Sequence, residues 1–365
     1  MTPVRIGVIG TGQIGKAHLQ RYAEMPGAKI VAAADISQAA LREAAAQFGI
    51  PHTCTDYRDL LARDDIEAVD VCLHNRLHAP VTIAALEAGK HVYCEKPIAG
   101  SYAEGRRMVE AAAATGRLLQ IQLRTLFSME TKSALRLIRD GCLGRLYHAR
   151  STGFRRRGRP FVDGYGTAQF VKKEVAAGGA LYDMGIYHIA QMLHLLGMPA
   201  PRRIAGKTYQ EMDMHAERRR SSGYDVEEFA VGLVRFDDGV TLDIAEAWAV
   251  NLDGFEGSYV LGAQGGVRLN PFGFFTTVAD MDLNAGIDLK GTDTRWHRLD
   301  PGYTAYDSPE HHWLAALRGQ VTLLPTAQLA LQTMLIQEGI YLSDRLGREV
   351  AAEEVIAAST EGTPI

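Results

Sequence analysis

The chain has 365 residues, 47% of them hydrophobic and 22% charged, with a net charge of −4. That length suggests about two domains, and that apolar content is enough to bury real cores and excludes long disorder. The charge balance provides no basic face for nucleic acid, and no run of about 18 apolar residues predicts a transmembrane helix.

Chain order then shows two grammars. Val4–Ile9, Ile30–Ala34, Ala68–Leu73, His91–Cys94 and Leu118–Gln122 read as buried strands. Between them, 12–24, 37–48, 79–88 and 102–115 have helical spacing, with Ser37 placed to cap the second of these helices. Strands alternating with helices predict a parallel sheet with helices on both faces. After about residue 145 a basic, glycine-rich stretch at 154–166 leads to a helix over 185–196. Val226–Phe236 and Val240–Val250 flank Asp237-Asp238-Gly239 and predict a hairpin, as do 258–262 and 266–269. This half predicts a large, mostly antiparallel sheet with one face covered by the 185–196 helix. Helices over 309–317 and 327–346 close the chain. The expected division is 1–124 and 125–365.

Cys54, Cys72, Cys94 and Cys142 lack metal-type spacing, so free thiols in a reducing cytoplasm are expected. The N-terminal apolar run lacks the basic start and cleavage site of a leader. No histidine cluster predicts a metal; His18 is expected to pack near the first glycine turn, and His311-His312 is not spaced as a helical ligand pair.

The strongest motif is Gly10-Thr11-Gly12-Gln13-Ile14-Gly15, between a strand and a helix. Gly10 permits the tight turn, Gly12 lets a pyrophosphate approach the backbone, and Gly15 lets helix and strand pack closely. The helix start then offers N–H groups to the phosphates. Asp35 ends the second strand, where a carboxylate accepts from ribose hydroxyls and repels a 2′-phosphate. Ile36-Ser37-Gln38 supply no arginine for such a phosphate, which favours NAD over NADP.

Two further motifs gain meaning beside the first. Cys94-Glu95-Lys96-Pro97 follows a parallel strand, at the end of the sheet where ligands bind. Taken alone it is an ordinary surface turn. In Gly178–His188, Asp183 and Tyr187 are four apart and would share a helical face, with His188 rotated by about 100°. Arg155, Arg156, Arg157 and Arg159 form a loop that either grips a substrate or is simply solvated. Arg218-Arg219-Arg220 reads as a solvated connection between strands. Glu246, Trp248 and Asn251 either line a pocket or, for the tryptophan, fill a core or an interface.

Together these segments resemble the Gfo/Idh/MocA oxidoreductases, which include glucose–fructose oxidoreductase, inositol dehydrogenase and many sugar dehydrogenases. The resemblance rests on GTGQIG at 10–15, Asp35, HNRLHAP at 74–80, GKHVYCEKP at 89–97 and GGALYDMGIYH at 178–188. The segments at 225–239, 246–254 and 343–350 extend it over nearly the whole chain.

The resemblance implies an N-terminal Rossmann domain, a C-terminal α+β domain with a large mostly antiparallel sheet, and a substrate site between them. It implies NAD held by Gly10, Gly12, Gln13, Ile14, Gly15, Asp35, Asn75, His78, Glu95 and Lys96. It makes Lys96 the catalytic-site lysine, followed by a proline whose peptide is often cis, and Asp183 the substrate-orienting aspartate. Arg124 and Arg156 join Lys96, Asp183 and Tyr187 as substrate-binding candidates.

The chain departs from the common Asp-x-Gly-x-His pattern, with Tyr187 in the histidine's place, His188 one residue later and Ala190 where an aspartate is usual. Tyr187 is thus the first choice for proton transfer. His188 is the alternative, because its ordinary pKa suits the task better. The implied protein is a cytoplasmic homodimer or homotetramer that oxidises or reduces a sugar, sugar derivative or cyclitol. A redox-neutral glycosidase or epimerase, or a sugar- or dinucleotide-sensing regulator, would use the same fold.

Overall fold

Six short parallel strands open the computed structural model, which describes residues 2–361. They are β1 (Val4–Ile9), β2 (Ala28–Ala34), β3 (His52–Cys54), β4 (Ala68–Val71), β5 (His91–Cys94) and β6 (Leu119–Ile121), in the order β3-β2-β1-β4-β5-β6. Central β1 pairs Ile6 with Ile30 on one side and with Ala68 on the other. Its near-continuous apolar run is buried because helices cover both faces of a parallel sheet. This is the doubly wound dinucleotide-binding order.

The helix Gln38–Phe48 starts as expected, with Ser37 Oγ accepting from the Ala40 N–H. β3 and the helix Tyr57–Leu61 are too short to leave a periodic signal. The helix Asn75–Glu87 begins four residues before the expected 79 and carries Pro80 inside it. Proline is commonest at a helix start, so Pro80 draws a sequence reading toward too late a beginning.

Contacts divide the chain into two units. One comprises Met1–Ala99, Glu104–Gln122 and Gly302–Gln328; the other comprises Gly100–Ala103, Leu123–Pro301 and Leu329–Ile365. The late helix Pro309–Leu317 belongs with the first because Trp313 is fully buried in its core, against residues such as Tyr22 and Tyr93. Polar ties support it: Gln120 Nε2 donates to the Pro309 carbonyl and Arg318 to the Gly27 carbonyl.

The second unit holds nine strands. After β7 (Leu146–Phe154) come β8 (Pro201–Tyr209), β9 (Phe229–Phe236), β10 (Thr241–Ala247), β11 (Tyr259–Gly262), β12 (Gly265–Leu269), β13 (Phe272–Val278), β14 (Met281–Ala285) and β15 (Val350–Ala351). Their order is β14-β13-β12-β11-β7-β10-β9-β8-β15, antiparallel except where β10 runs beside β7. Both expected hairpins form, β9–β10 around Gly239 at φ 83° and β11–β12.

The helix Gly185–Leu195 packs on β7 and its neighbours. Alternation along β10 buries Leu242, Ile244 and Glu246 and turns Asp243 to the opposite face, where it pairs with Arg150 at 2.7 Å. The centre of that open face is therefore charged and is not a continuous apolar patch. Among the described residues, no helix is long and apolar enough to cross a membrane.

Candidate active site

In the first unit, the turn after β1 has Gly10 at φ 95°. A Cβ at Gly10 would strike the Cys72 carbonyl, and one at Gly15 would strike the Gly10 carbonyl; one at Gly12 would meet nothing within 4 Å. Space is thus left where a phosphate must approach the backbone. The helix Gln13–Ala23 begins there with no side-chain cap and no acid in its first turn, which keeps its N-terminal dipole unneutralised. Asp35 leaves β2 beside this turn. Its Oδ2 accepts from the Thr11 N–H at 2.7 Å and hydroxyl at 3.1 Å, and its Oδ1 accepts from the Ser37 N–H at 2.8 Å. Gly10, Gly12, Gln13, Ile14, Gly15 and Asp35 together fit a dinucleotide.

The Lys96 turn follows β5, and the Lys96–Pro97 peptide is cis. Glu95 receives the Lys96 N–H on Oε2 at 3.0 Å, and its Oε1 lies 3.0 Å from His18 Nε2. The other ring nitrogen, Nδ1, lies 2.8 Å from Asp70 Oδ2 inside the sheet. Burial disfavours a charged His18, yet the Asp70 carboxylate against Nδ1 offsets it, and the ring's pKa is raised above its ordinary value. Burial likewise pushes Glu95 up, but His18 and Lys96 bring it below the usual range.

On the other side of the turn stands His78, fully buried. Its Nδ1 is 2.6 Å from the Pro97 carbonyl and its Nε2 3.0 Å from the Leu73 carbonyl. Its pKa falls through burial. A neutral ring has one N–H to donate, so His78 bonds one of these two carbonyls and packs against the other beside the turn. Asn75 opens its helix just past β4.

The second unit corrects one geometric expectation. A short helix, Ala180–Asp183, stops at Asp183, and a new one starts at Gly185. The four-residue face argument for Asp183 and Tyr187 does not run through this break. The start of the first of these helices is held by Glu227, a buried carboxylate that accepts the N–H groups of Gly179 and Leu181, while a Cβ at Gly179 would strike the Glu227 backbone carbonyl.

Asp183 Oδ2 accepts from Trp248 Nε1 at 3.0 Å and from Arg155 at 3.4 Å. His188 Nδ1 lies 2.9 Å from Glu246 Oε2, and the Ser151 hydroxyl donates to Oε1 at 3.1 Å. A Cβ at Gly153 would strike both this carboxylate and the imidazole. Burial lowers the His188 pKa, but Glu246 outweighs it and the net shift is upward, with Arg124 and Arg155 opposing. Tyr187 lies under the Arg124 guanidinium, 4.9 Å from the ring centroid, and its carbonyl accepts from Thr125.

The arginine loop divides by role. Arg159 is buried, bonded to Asp163 and Glu228, and is neither solvated nor available to a ligand. Arg155 holds Asp183, while Arg156 and Arg157 are exposed. Arg218–Arg220 are exposed on a short helix, Ala216–Ser222, where a loop was expected. Trp248 is a core residue with its N–H on Asp183, and Asn251 is exposed in the turn beyond β10.

His18, Asp70 and Cys72 bring their ligand atoms within 4.8 Å of one another, a cluster that sequence spacing hides. An acid inside the apolar run Ala68–Leu73 was the available clue, because a buried carboxylate needs a partner. Burial pushes the Cys72 thiol up, which keeps it protonated and a poor metal ligand. The four cysteines are free.

Residues 4–123 match a family described as "Oxidoreductase family, NAD-binding Rossmann fold", and residues 131–268 match the GFO/IDH/MocA C-terminal domain. The chain is 30% identical over 261 residues to D-glucoside 3-dehydrogenase of Escherichia coli, covering 69% of this chain and 72% of that one. It is 32% identical over 208 residues to levoglucosan dehydrogenase of Pseudarthrobacter phenanthrenivorans, covering 54% and 52%. A levoglucosan dehydrogenase solved with NADH superposes with a TM-score of 0.77 at 21% identity, over 96% of this chain and 99% of that one.

Proposed function

Because the chain belongs to the GFO/IDH/MocA oxidoreductase family, with NAD as its cofactor, we propose that it is a dehydrogenase or reductase acting on a hydroxyl or ketone of a sugar, sugar derivative or cyclitol. When bound, NAD supplies the hydride acceptor or donor. Gly10, Gly12, Gln13, Ile14 and Gly15 hold its pyrophosphate through backbone N–H groups, and Asp35 holds a ribose. Asn75, Glu95 and Lys96 border the reactive end. The first domain carries these groups; the second, from about residue 125, carries the groups for the substrate.

The ammonium of Lys96 holds the substrate oxygen and stabilises the alkoxide as its proton leaves. Asp183, oriented by Trp248 and Arg155, accepts a hydrogen bond from a neighbouring hydroxyl. Arg124 and Arg156 complete the polar lining. Tyr187, whose ring lies under the Arg124 guanidinium, takes the proton. A specific observation favours His188 as a second reading. Glu246 occupies Nδ1 and so orients the ring, leaving Nε2 to exchange a proton, the logic of a carboxylate–histidine pair.

The observation that carries the proposal is this combination on one chain: a glycine turn with open space at Gly12, and an Asp183–His188 segment whose polar groups are already held by Trp248, Arg155 and Glu246. A panel of sugars, cyclitols and glycosides with NAD⁺ and NADP⁺, followed by absorbance of the reduced cofactor, tests it. Reduced NAD with at least one panel member is the expected result. Glycoside cleavage without reduced cofactor would replace the dehydrogenase reading by a redox-neutral one. Assembly as a homodimer or homotetramer through the open face of the sheet is part of the proposal, and a monomeric mass by light scattering contradicts it.

A further inference from the structure

We propose that His18 is a positioning residue for Lys96, holding Glu95 from beneath while Asp70 anchors it to the sheet. The proposal rests on the reading of Lys96 given above. It starts from an arrangement with no slack. His18 is three residues after Gly15 on the helix Gln13–Ala23, Asp70 lies within β4, and Glu95 follows β5. One imidazole joins all three elements, at 2.8 Å to Asp70 and 3.0 Å to Glu95.

Two carboxylates on the two ring nitrogens require two N–H donors, and only the imidazolium has both. Asp70 is fully buried and His18 nearly so, so solvent does not reach the bond between them. Removing the ring would leave one carboxylate buried with no opposite charge, which is costly. The Tyr93 ring meets His18 edge-on, with centroids 5.6 Å apart, and limits tilting.

The consequence runs outward. Glu95 spends one oxygen on His18 and the other on the Lys96 N–H. The backbone at Lys96 is therefore referenced through a carboxylate and an imidazolium to the middle of the sheet. His78 lies against the Pro97 carbonyl on the other side. A long, flexible lysine side chain needs such a fixed root, because small misplacements of a catalytic group cost about 10²-fold in rate.

The test compares His18→Ala in two backgrounds of the full-length protein, native and Lys96→Ala, using a substrate that gives reduced NAD in the panel above. In the native background kcat should fall about tenfold or more, with Kd for NAD⁺ changed by less than about threefold. In the Lys96→Ala background the same change should cost no further turnover. Equal losses in both backgrounds, or loss of NAD⁺ binding as the main effect, would overturn the proposal. If His18→Ala does not fold, His18→Gln is read in the same way.

Nitrogen-15 spectra of histidine-labelled protein at neutral pH supply an arm free of any substrate. His18 should show two protonated ring nitrogens, and a neutral ring overturns the relay. Should Lys96→Ala keep its turnover, the role of Lys96 fails and the positioning role with it, even if the spectrum shows the imidazolium. A neutral His18 with Lys96→Ala inactive sinks the relay alone.

Discussion

Two histidines, His18 in the first unit and His188 in the second, start from the same chemistry and end in different roles. Both have pKa values raised against the pull of burial by neighbouring acidic groups. His18 is closed, with a carboxylate on each nitrogen and a side chain 2% exposed. His188 is half open, with Glu246 on Nδ1 only and a side chain 27% exposed. An imidazole bonded at both ends can hold structure but cannot hand its proton to a ligand. One bonded at a single end is oriented and remains usable. The protonation tendency alone does not separate the two; the count of partners does.

The comparison can be broken most sharply at Tyr187 and His188. Under the first assignment, Tyr187→Phe lowers turnover by about 10²-fold with little change in stability. An active Tyr187→Phe together with an inactive but folded His188→Ala would move the assignment to the half-open imidazole. Steady-state kinetics with circular dichroism as the folding control decides between them.

Glu246→Gln sharpens the same contrast with a smaller effect, about tenfold in kcat. If His188 is the base, it must be neutral to accept a proton. The carboxylate raises its pKa, so its loss should move the acid limb of the pH–rate profile to lower pH. An unmoved limb points back to Tyr187.

Asp35→Ser probes the first unit, where recognition rests largely on backbone. The unmodified protein should bind NAD⁺ more tightly than NADP⁺, and the substitution should narrow that gap. Equal or tighter binding of NADP⁺ by the unmodified protein in a titration contradicts the reading of Asp35.

The smallest effect concerns stability and pH at His18. Its folded pKa is raised above the ordinary 6.5. The stability that its protonated form contributes is therefore fully present below about pH 6.5 and is lost as pH rises through the higher folded value. The Tm difference between native protein and His18→Gln should shrink across that alkaline window. A difference that grows there would show that His18 is neutral in the folded protein.

Much of the first unit was legible in the linear chain because its information is local. A glycine turn, a capped helix and a buried apolar strand each carry their cause within a few residues, as Gly10, Ser37 and Val4–Ile9 do. The strand order then follows the common doubly wound pattern. Helix starts were less certain where two signals compete, as Pro80 inside Asn75–Glu87 shows.

What only the tertiary structure decided is which distant groups share a buried volume. Asp70 passes unremarked in an apolar strand until His18 closes on it, and Glu246 is a candidate to line a pocket until His188 reaches it. Arg155 and Arg159 stand four apart in one basic loop, yet one holds Asp183 and the other is sealed between Asp163 and Glu228. Trp313, late in the chain, fills the core of the unit built from its beginning. The physical reason is the same in each case. Propensity and turn chemistry act over a few residues, whereas the cost of burying a charge or leaving a cavity is settled by whatever the fold brings alongside.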